Sequence, residues 1–172
     1  MSGWRIAESV VLTPLRLALG GLFIYAGVLK ALDPQAFAFA IKGYGVLDAG
    51  DAHAIRVMAY TIPWAEILTG VLLVIGGWAR GAALLLAVQL ALFTAANAAV
   101  LDKGIECSCF GENDPFCSGP IGQCHMIRNG VMLAASALLA WRGAGLWSVD
   151  ETIAKLRAAA RRREVDTEEE AV

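Results

Sequence analysis

Four long apolar stretches, separated by shorter polar ones, set the pattern of this chain. The first runs from Val10 to Leu32 and is free of charge from Leu17 to Leu29, with Arg16 and Lys30 near its two ends. About twenty helical residues cross the hydrocarbon layer of a membrane. The stretch therefore spans if those two side chains snorkel or face other helices. Gly20, Gly21 and Gly27 cost stability in a soluble helix but permit close helix contact in lipid. Asp33-Pro34 ends the run. Because Arg16 interrupts the apolar residues, the segment reads as a retained membrane helix and not as a signal peptide.

From Gln35 to Asp51 the chain is semi-apolar and too interrupted to span, which suggests a short helix lying at the interface, with a packed loop as the competing reading. The second span is Val57 to Trp78, with Pro63 inside it and Glu66 near its middle. Gly76 to Arg80 is a tight turn, and Gly81 to Leu101 is a charge-free third span that must run antiparallel to the second. A long polar loop follows, from Asp102 to Cys124. The fourth span, Ile121 to Trp141, is the least apolar, because it contains Cys124, His125, Arg128 and Asn129. Such groups fit a membrane helix only if they point into the bundle or sit at its end. Ser148-Val149-Asp150-Glu151 has capping-box spacing and opens a basic amphipathic helix to about Arg163, and disorder is expected from Thr167 onward.

The pattern thus predicts an all-α, integral membrane four-helix bundle. It has a short interfacial helix after the first span and a cysteine-rich extracytoplasmic loop between the third and fourth. Residues 1–148 form the four-span domain, and 149–172 a cytoplasmic amphipathic helix with an acidic disordered tail.

Composition agrees with a membrane protein. Of 172 residues, 58% are hydrophobic and 17% charged, against about 25% charged in a typical soluble domain. Neither the formal net charge of −2 nor the short basic and acidic runs of the tail suggest nucleic acid as a partner. Nine of the Lys and Arg residues lie on the side of the termini and the Gly76 turn and five on the other. The positive-inside rule then puts both termini in the cytoplasm of a bacterial inner membrane and the cysteine loop in the periplasm, or outside the cell. Disulfides are permitted there.

All four cysteines, Cys107, Cys109, Cys117 and Cys124, fall in that loop. Cys107-Ser108-Cys109 places two thiols one residue apart, and a disulfide across so short a loop is strained and easily exchanged. Cys117 and Cys124 supply a second pair. Cys124 lies at the start of the fourth helix, where backbone amides and Arg128 favour a thiolate. Four cysteines allow three connectivities, crossed pairing of Cys109 with Cys124 among them. Three readings remain open from the pattern: structural staples, a redox relay, or a metal site with His125. The paired C-x-x-C knuckles usual for zinc are absent, so no metal is favoured.

A carboxyl near the middle of a span must be neutral or paired. Arg16, Lys30 and Arg128 are the candidate partners of Glu66. Counting inward from the predicted boundaries, Lys30, Tyr25, Trp64, Glu66, Asn97, Arg128 and Asn129 gather toward the loop side. They would line either a structural ion-pair network or a pocket for a quinone headgroup, with Lys30, Trp64, Glu66, Asn97 and Arg128 as its binding residues.

Several segments together resemble a known family. They are Arg16 with Leu19-Gly20, Ala26-Gly27-Val28-Leu29-Lys30, Asp33-Pro34 followed by Phe37, and Ile62-Pro63-Trp64-Ala65-Glu66-Ile67 with Gly70. Cys107-Ser108-Cys109-Phe110-Gly111 and Arg128-Asn129 complete the set. In order and spacing these resemble small four-helix membrane proteins that include the methylamine-utilisation protein MauE and are related to DoxX-like proteins, over about residues 10 to 141. Members are associated with maturation of disulfide-rich periplasmic proteins and often accompany thioredoxin-like partners. The resemblance implies Cys107 and Cys109 as the reactive pair and Lys30, Glu66 and Arg128 as a polar core; Cys117 and Cys124 have no match in it. The expected function is a membrane thiol–disulfide oxidoreductase, exchanging electrons with a periplasmic thioredoxin-like protein or disulfide-containing client. The alternative is a non-enzymatic scaffold or metal-handling protein with a stapled or Zn/Cu-binding loop.

Overall fold

The computed structural model describes residues 3–45, 50–101, 103–105, 116–117, 119–143 and 148–170; of 3–9, 164–166 and 168–170 it describes the backbone alone. Among these residues the elements are all helices: α1 Gly3–Leu32, α2 Pro34–Gly43, α3 Ala52–Ile75, α4 Ala79–Ala98, α5 Gln123–Arg142 and α6 Val149–Glu170, joined by turns and short irregular segments. The long helices pack α1 on α3, α3 on α4, α4 on α5 and α5 on α1, closing a ring, and α2 lies against α3 and α1. Three helices are long and apolar enough to cross a membrane: Val10–Leu32, Ala52–Ile75 and Ala79–Ala98. The chain is a multi-pass membrane protein.

The bundle is turned outward in the way lipid demands. Trp64, Leu68 and Ile75 of α3 and Leu84, Val88 and Leu92 of α4 are exposed, where an aqueous protein would bury them. Helix α5 is not among the three apolar spans. The reason is how its residues are divided between two faces. Ile127, Val131, Leu138 and Trp141 face outward, whereas His125, Asn129 and Ser136 are buried. Its polar residues thus lower its mean hydropathy while sitting inside the protein.

Close approach of α1 and α3 rests on glycine. A Cβ at Gly20 would stand 2.8 Å from the Gly70 carbonyl oxygen, one at Gly70 would stand 2.7 Å from that of Gly20, and one at Gly27 would stand 2.7 Å from that of Pro63. Without side chains at these points the two backbones come into direct contact, and that contact fixes which α1 residue meets which α3 residue. The core of the ring is apolar, built on Leu19, Phe23, Leu73, Leu86, Leu90 and Leu139.

Several boundaries differ from the sequence reading, for identifiable reasons. The second helix starts at Ala52, ahead of Val57, and ends at Ile75 because Gly76 takes a left-handed conformation (φ 67°) and stops it. The third begins at Ala79, inside the expected turn, because Asp150 caps it. Its carboxylate accepts the Trp78 and Ala79 N–H groups, each at 2.8 Å, satisfying two of the amides a helix start leaves open. The Ser148 cap is present, its hydroxyl accepting the Glu151 N–H at 3.1 Å. Helix α6 continues through Thr167 to Glu170, where disorder was expected; the Thr167 hydroxyl bonds back to the Arg163 carbonyl at 3.0 Å. The segment after the first span is helical, capped by Asp33, which accepts the Ala36 N–H at 2.9 Å, with Pro34 at its first position.

Candidate functional site

Lys30 closes the last turn of α1, and Glu66 sits one turn beyond Pro63 on α3. Gly27 lies one turn before Lys30, and its contact with Pro63 brings the two charged side chains face to face. Lys30 Nζ donates to both carboxylate oxygens of Glu66, at 2.8 and 2.9 Å, with both residues buried. Of the three candidate cations, Lys30 is therefore the partner. The Phe37 ring of α2 and the Phe93 ring of α4 stand 5.7 and 5.5 Å from the ammonium, within the range of cation–π attraction. A buried charge pair in so apolar a setting holds only with this degree of satisfaction.

Beside the pair lies a small cavity of about 20 Å³, lined by Phe23, Ala26, Lys30, Glu66, Leu90, Phe93, Asn129 and Met132. That is room for a water-sized group. A cavity of this size gives no support to a quinone headgroup.

The other expected pocket residues disperse. Trp64 is 65% exposed and Tyr25 47%: each projects from the outer face of its helix and is no part of the cavity. For Trp64 the reason is helical periodicity. The buried positions of α3 are Ile55, Ala59, Pro63, Glu66, Thr69, Gly70 and Leu73, and residue 64 falls off that stripe. Asn97, one turn beyond Phe93 on α4, is buried and accepts the Tyr44 hydroxyl at 2.9 Å. Arg128 is half-buried and donates from Nε and Nη2 to Asn129 Oδ1, both at 3.3 Å, so it holds a cavity residue without bonding Glu66. Arg16 is buried near the middle of α1, fourteen residues before Lys30 and beside Gly76.

Cys117 and Cys124 form a disulfide with Cα atoms 5.9 Å apart, one of the three connectivities the sequence allowed. Cys124 occupies the second position of α5 and is exposed; Cys117 is 5% exposed. Cys124 Sγ also lies 3.6 Å from the Phe116 carbonyl oxygen, a contact and not a hydrogen bond while the sulfur is oxidised and carries no proton. The base of the loop is pinned: the Ile121 N–H donates to the Ile105 carbonyl at 2.9 Å, and Val100 and Ile121 are buried together. Cys107 and Cys109 lie outside the described residues. Among the described residues no group of three or more His, Cys, Asp or Glu is placed to hold a metal.

Along α5 the disulfide and the ion-pair layer are near one another, since Cys124 and Asn129 are five residues apart, about 7.5 Å of helix rise. His125, singled out in the sequence only as a metal-ligand candidate, lies between them on the buried face. Its spacing of four from Asn129 is the signal that could have placed it there.

With the glycine-packed first and third helices, the Lys30–Glu66 pair and the cysteine loop in view, the family comparison is decisive. The model of the methylamine utilisation protein MauE matches residues 8–142. The chain belongs to the MauE family. No curated protein and no solved structure matches it. The matched region takes in α1 to α5, including the ion pair and all four cysteines, and leaves out α6.

Proposed function

We propose that this MauE-family protein is a membrane thiol–disulfide oxidoreductase, working at the periplasmic face on a thioredoxin-like or disulfide-containing partner. The observation that carries the reading is the Cys117–Cys124 disulfide at the first turn of α5, with Cys124 an exposed residue and Cys117 a buried one. That asymmetry suits exchange. A partner thiolate attacks the accessible Cys124 Sγ, the S–S bond breaks, and its electron pair leaves on Cys117 as a thiolate. A second partner thiolate then attacks the partner sulfur of the mixed disulfide and releases Cys124. The partner is left oxidised and the Cys117/Cys124 pair reduced, with two protons transferred; the reverse sequence reduces a client. Amides at the start of α5 stabilise a Cys124 thiolate in either direction.

Pairing of Cys117 with Cys124 leaves Cys107 and Cys109 to each other, and Cys107 is only two residues along the chain from Ile105, which is bonded to Ile121. In this reading the four cysteines form a relay of two pairs, in which a partner enters at Cys124 or at Cys107/Cys109 and the pairs then exchange with each other. Topology in this reading is four spans. The apolar outer face of α5 supports it as the fourth, and the excess of Lys and Arg near the termini supports their cytoplasmic placement. The proposal includes no quinone step, since the cavity beside the ion pair lends it no support.

A second reading is favoured by the burial of Cys117 and the pinned loop base: the disulfide staples a docking loop and never opens. Single serine substitutions separate the two. Exchange predicts that Cys117→Ser accumulates a mixed disulfide between Cys124 and a periplasmic protein, and that Cys107→Ser or Cys109→Ser does so through its remaining thiol. Absence of any trapped species in all three variants, with function kept when Cys107 and Cys109 are both serine, leaves the staple.

A further inference from the structure

Helix α6 lies outside the region that the family model matches, and from Thr152 to Arg163 every one of its residues is exposed. Only its first turn is tied down. Asp150 accepts the Trp78 and Ala79 N–H groups, and its own N–H donates to the Gly76 carbonyl at 3.2 Å. The helix therefore starts level with the end of α3 and the beginning of α4, at the rim of two apolar spans. Trp78 and Trp141 are both exposed at this end of the bundle, where Gly143 lies beside Arg80. Exposed tryptophan at the rim of a membrane bundle marks the depth of the lipid headgroups.

The residues of α6 are sorted by face. Val149, Ile153, Leu156 and Ala160 fall on one stripe at 3.6 residues per turn, and the first three are exposed apolar side chains. Lys155, Arg157, Arg161, Arg162 and Arg163 are distributed on both sides of that stripe. Lys155 pairs with Glu151 at 3.0 Å, whereas among the described residues no ion pair engages Arg157, Arg161, Arg162 or Arg163. The two acids of this stretch are already occupied, Asp150 with the amides of α4 and Glu151 with Lys155. Its uncommitted charge is thus positive. From Glu164 to Glu170 the sign reverses.

An apolar stripe bordered by arginines matches one setting at this depth. At the surface of an anionic leaflet the apolar side chains enter the acyl boundary, while the guanidinium groups bond phosphate. We propose that residues 149–163 lie along the membrane surface and bind anionic phospholipid headgroups, with the acidic end of the helix repelled from them. Lipid is the occupant because the Asp150 tie holds the start of the helix at the membrane rim, with its free charge opposite in sign to that of the headgroups. The site is at the opposite end of the bundle from the cysteine loop, so the inference stands apart from the redox reading.

The test places the full-length protein in lipid nanodiscs of phosphatidylcholine, alone or mixed with phosphatidylglycerol, and follows amide hydrogen exchange by mass spectrometry. Residues 153–163 are expected to exchange more slowly in the anionic discs by roughly tenfold or more, since each basic residue near the surface adds to the attraction. High salt should abolish that protection, and residues 164–170 should exchange alike in both discs. The variant Arg157→Gln/Arg161→Gln/Arg162→Gln/Arg163→Gln keeps a good helix former at each position and should remove the difference between the lipids, with exchange in α1 to α5 unchanged. Equal exchange of residues 153–163 in the two lipids would overturn the inference and leave the arginines to an acidic protein partner. A difference that survives in the glutamine variant would overturn it as well. So would protection that follows the number of protein copies in a disc and not the lipid charge, which would assign the stripe to a second copy of the chain. The comparison of lipids uses the wild-type protein and decides even if the variant does not fold.

Discussion

Lys30 and Glu66, thirty-six residues apart in the chain, meet through a two-point ion pair with both side chains buried. A charge on the last turn of α1 or in the middle of α3 would be costly to bury without the other. The pair ties the two helices at the end nearer the cysteine loop, with α2 and α4 supplying Phe37 and Phe93 around the ammonium.

Removing one partner leaves the other charge buried and unmatched. Lys30→Met and Glu66→Gln are each expected to lower unfolding stability in detergent by about 3–5 kcal/mol. The double variant Lys30→Met/Glu66→Gln should lose less than the two single losses combined. Additive losses in the cycle would show that the two side chains are not coupled.

The contact of Gly27 with the Pro63 carbonyl makes a second prediction, with an internal control. Gly27→Ala drives a methyl against backbone that has nowhere to move and should cost about 1–3 kcal/mol. Gly21→Ala meets nothing within 4 Å and should leave stability within about 0.5 kcal/mol of wild type. Thermal unfolding in micelles reads both.

Asp150 joins α6 to the start of α4. Asp150→Ala frees the Trp78 and Ala79 amides and should destabilise the joint by about 1–2 kcal/mol. Hydrogen exchange should quicken at Trp78 and Ala79 and over the first turn of α6, while α1 and α5 keep their protection. Unchanged exchange at residues 78 and 79 would mean that the carboxylate does not cap the helix.

The disulfide should open unevenly. After reduction, an alkylating reagent is expected to reach Cys124 well before Cys117, following their exposure in the fold. Equal rates at the two sulfurs would contradict the asymmetry on which the exchange mechanism depends.

Much of this was legible in the sequence because lipid imposes a simple rule. Val10–Leu32 reads from the pattern as an apolar stretch long enough to span, and α1 contains it, beginning earlier at Gly3 and ending at Leu32 as expected. Glu66 stood out because an acid in such a run needs a partner. Which partner was not legible: Arg16, Lys30 and Arg128 were equivalent until the Gly27 contact fixed the register of α1 on α3. Trp64 was assigned to the pocket by its depth from the predicted span boundary, which says nothing of the face it occupies, and helical periodicity turns it outward. The start of α4 depends on Asp150, a residue seventy-one positions from Ala79, and no local pattern carries that information. Helix α5 looked weakest because averaging along the chain mixes its outward Ile127 and Val131 with its inward His125 and Asn129.

The central claim is that a reducible Cys117–Cys124 disulfide faces the oxidising side of the membrane. Its most direct test uses intact cells expressing the Cys107→Ser/Cys109→Ser variant, a membrane-impermeant maleimide, and an impermeant reductant added or withheld. The account predicts labelling of Cys124 from outside only after reduction. Labelling without reductant, or only once the membrane has been broken, would contradict it.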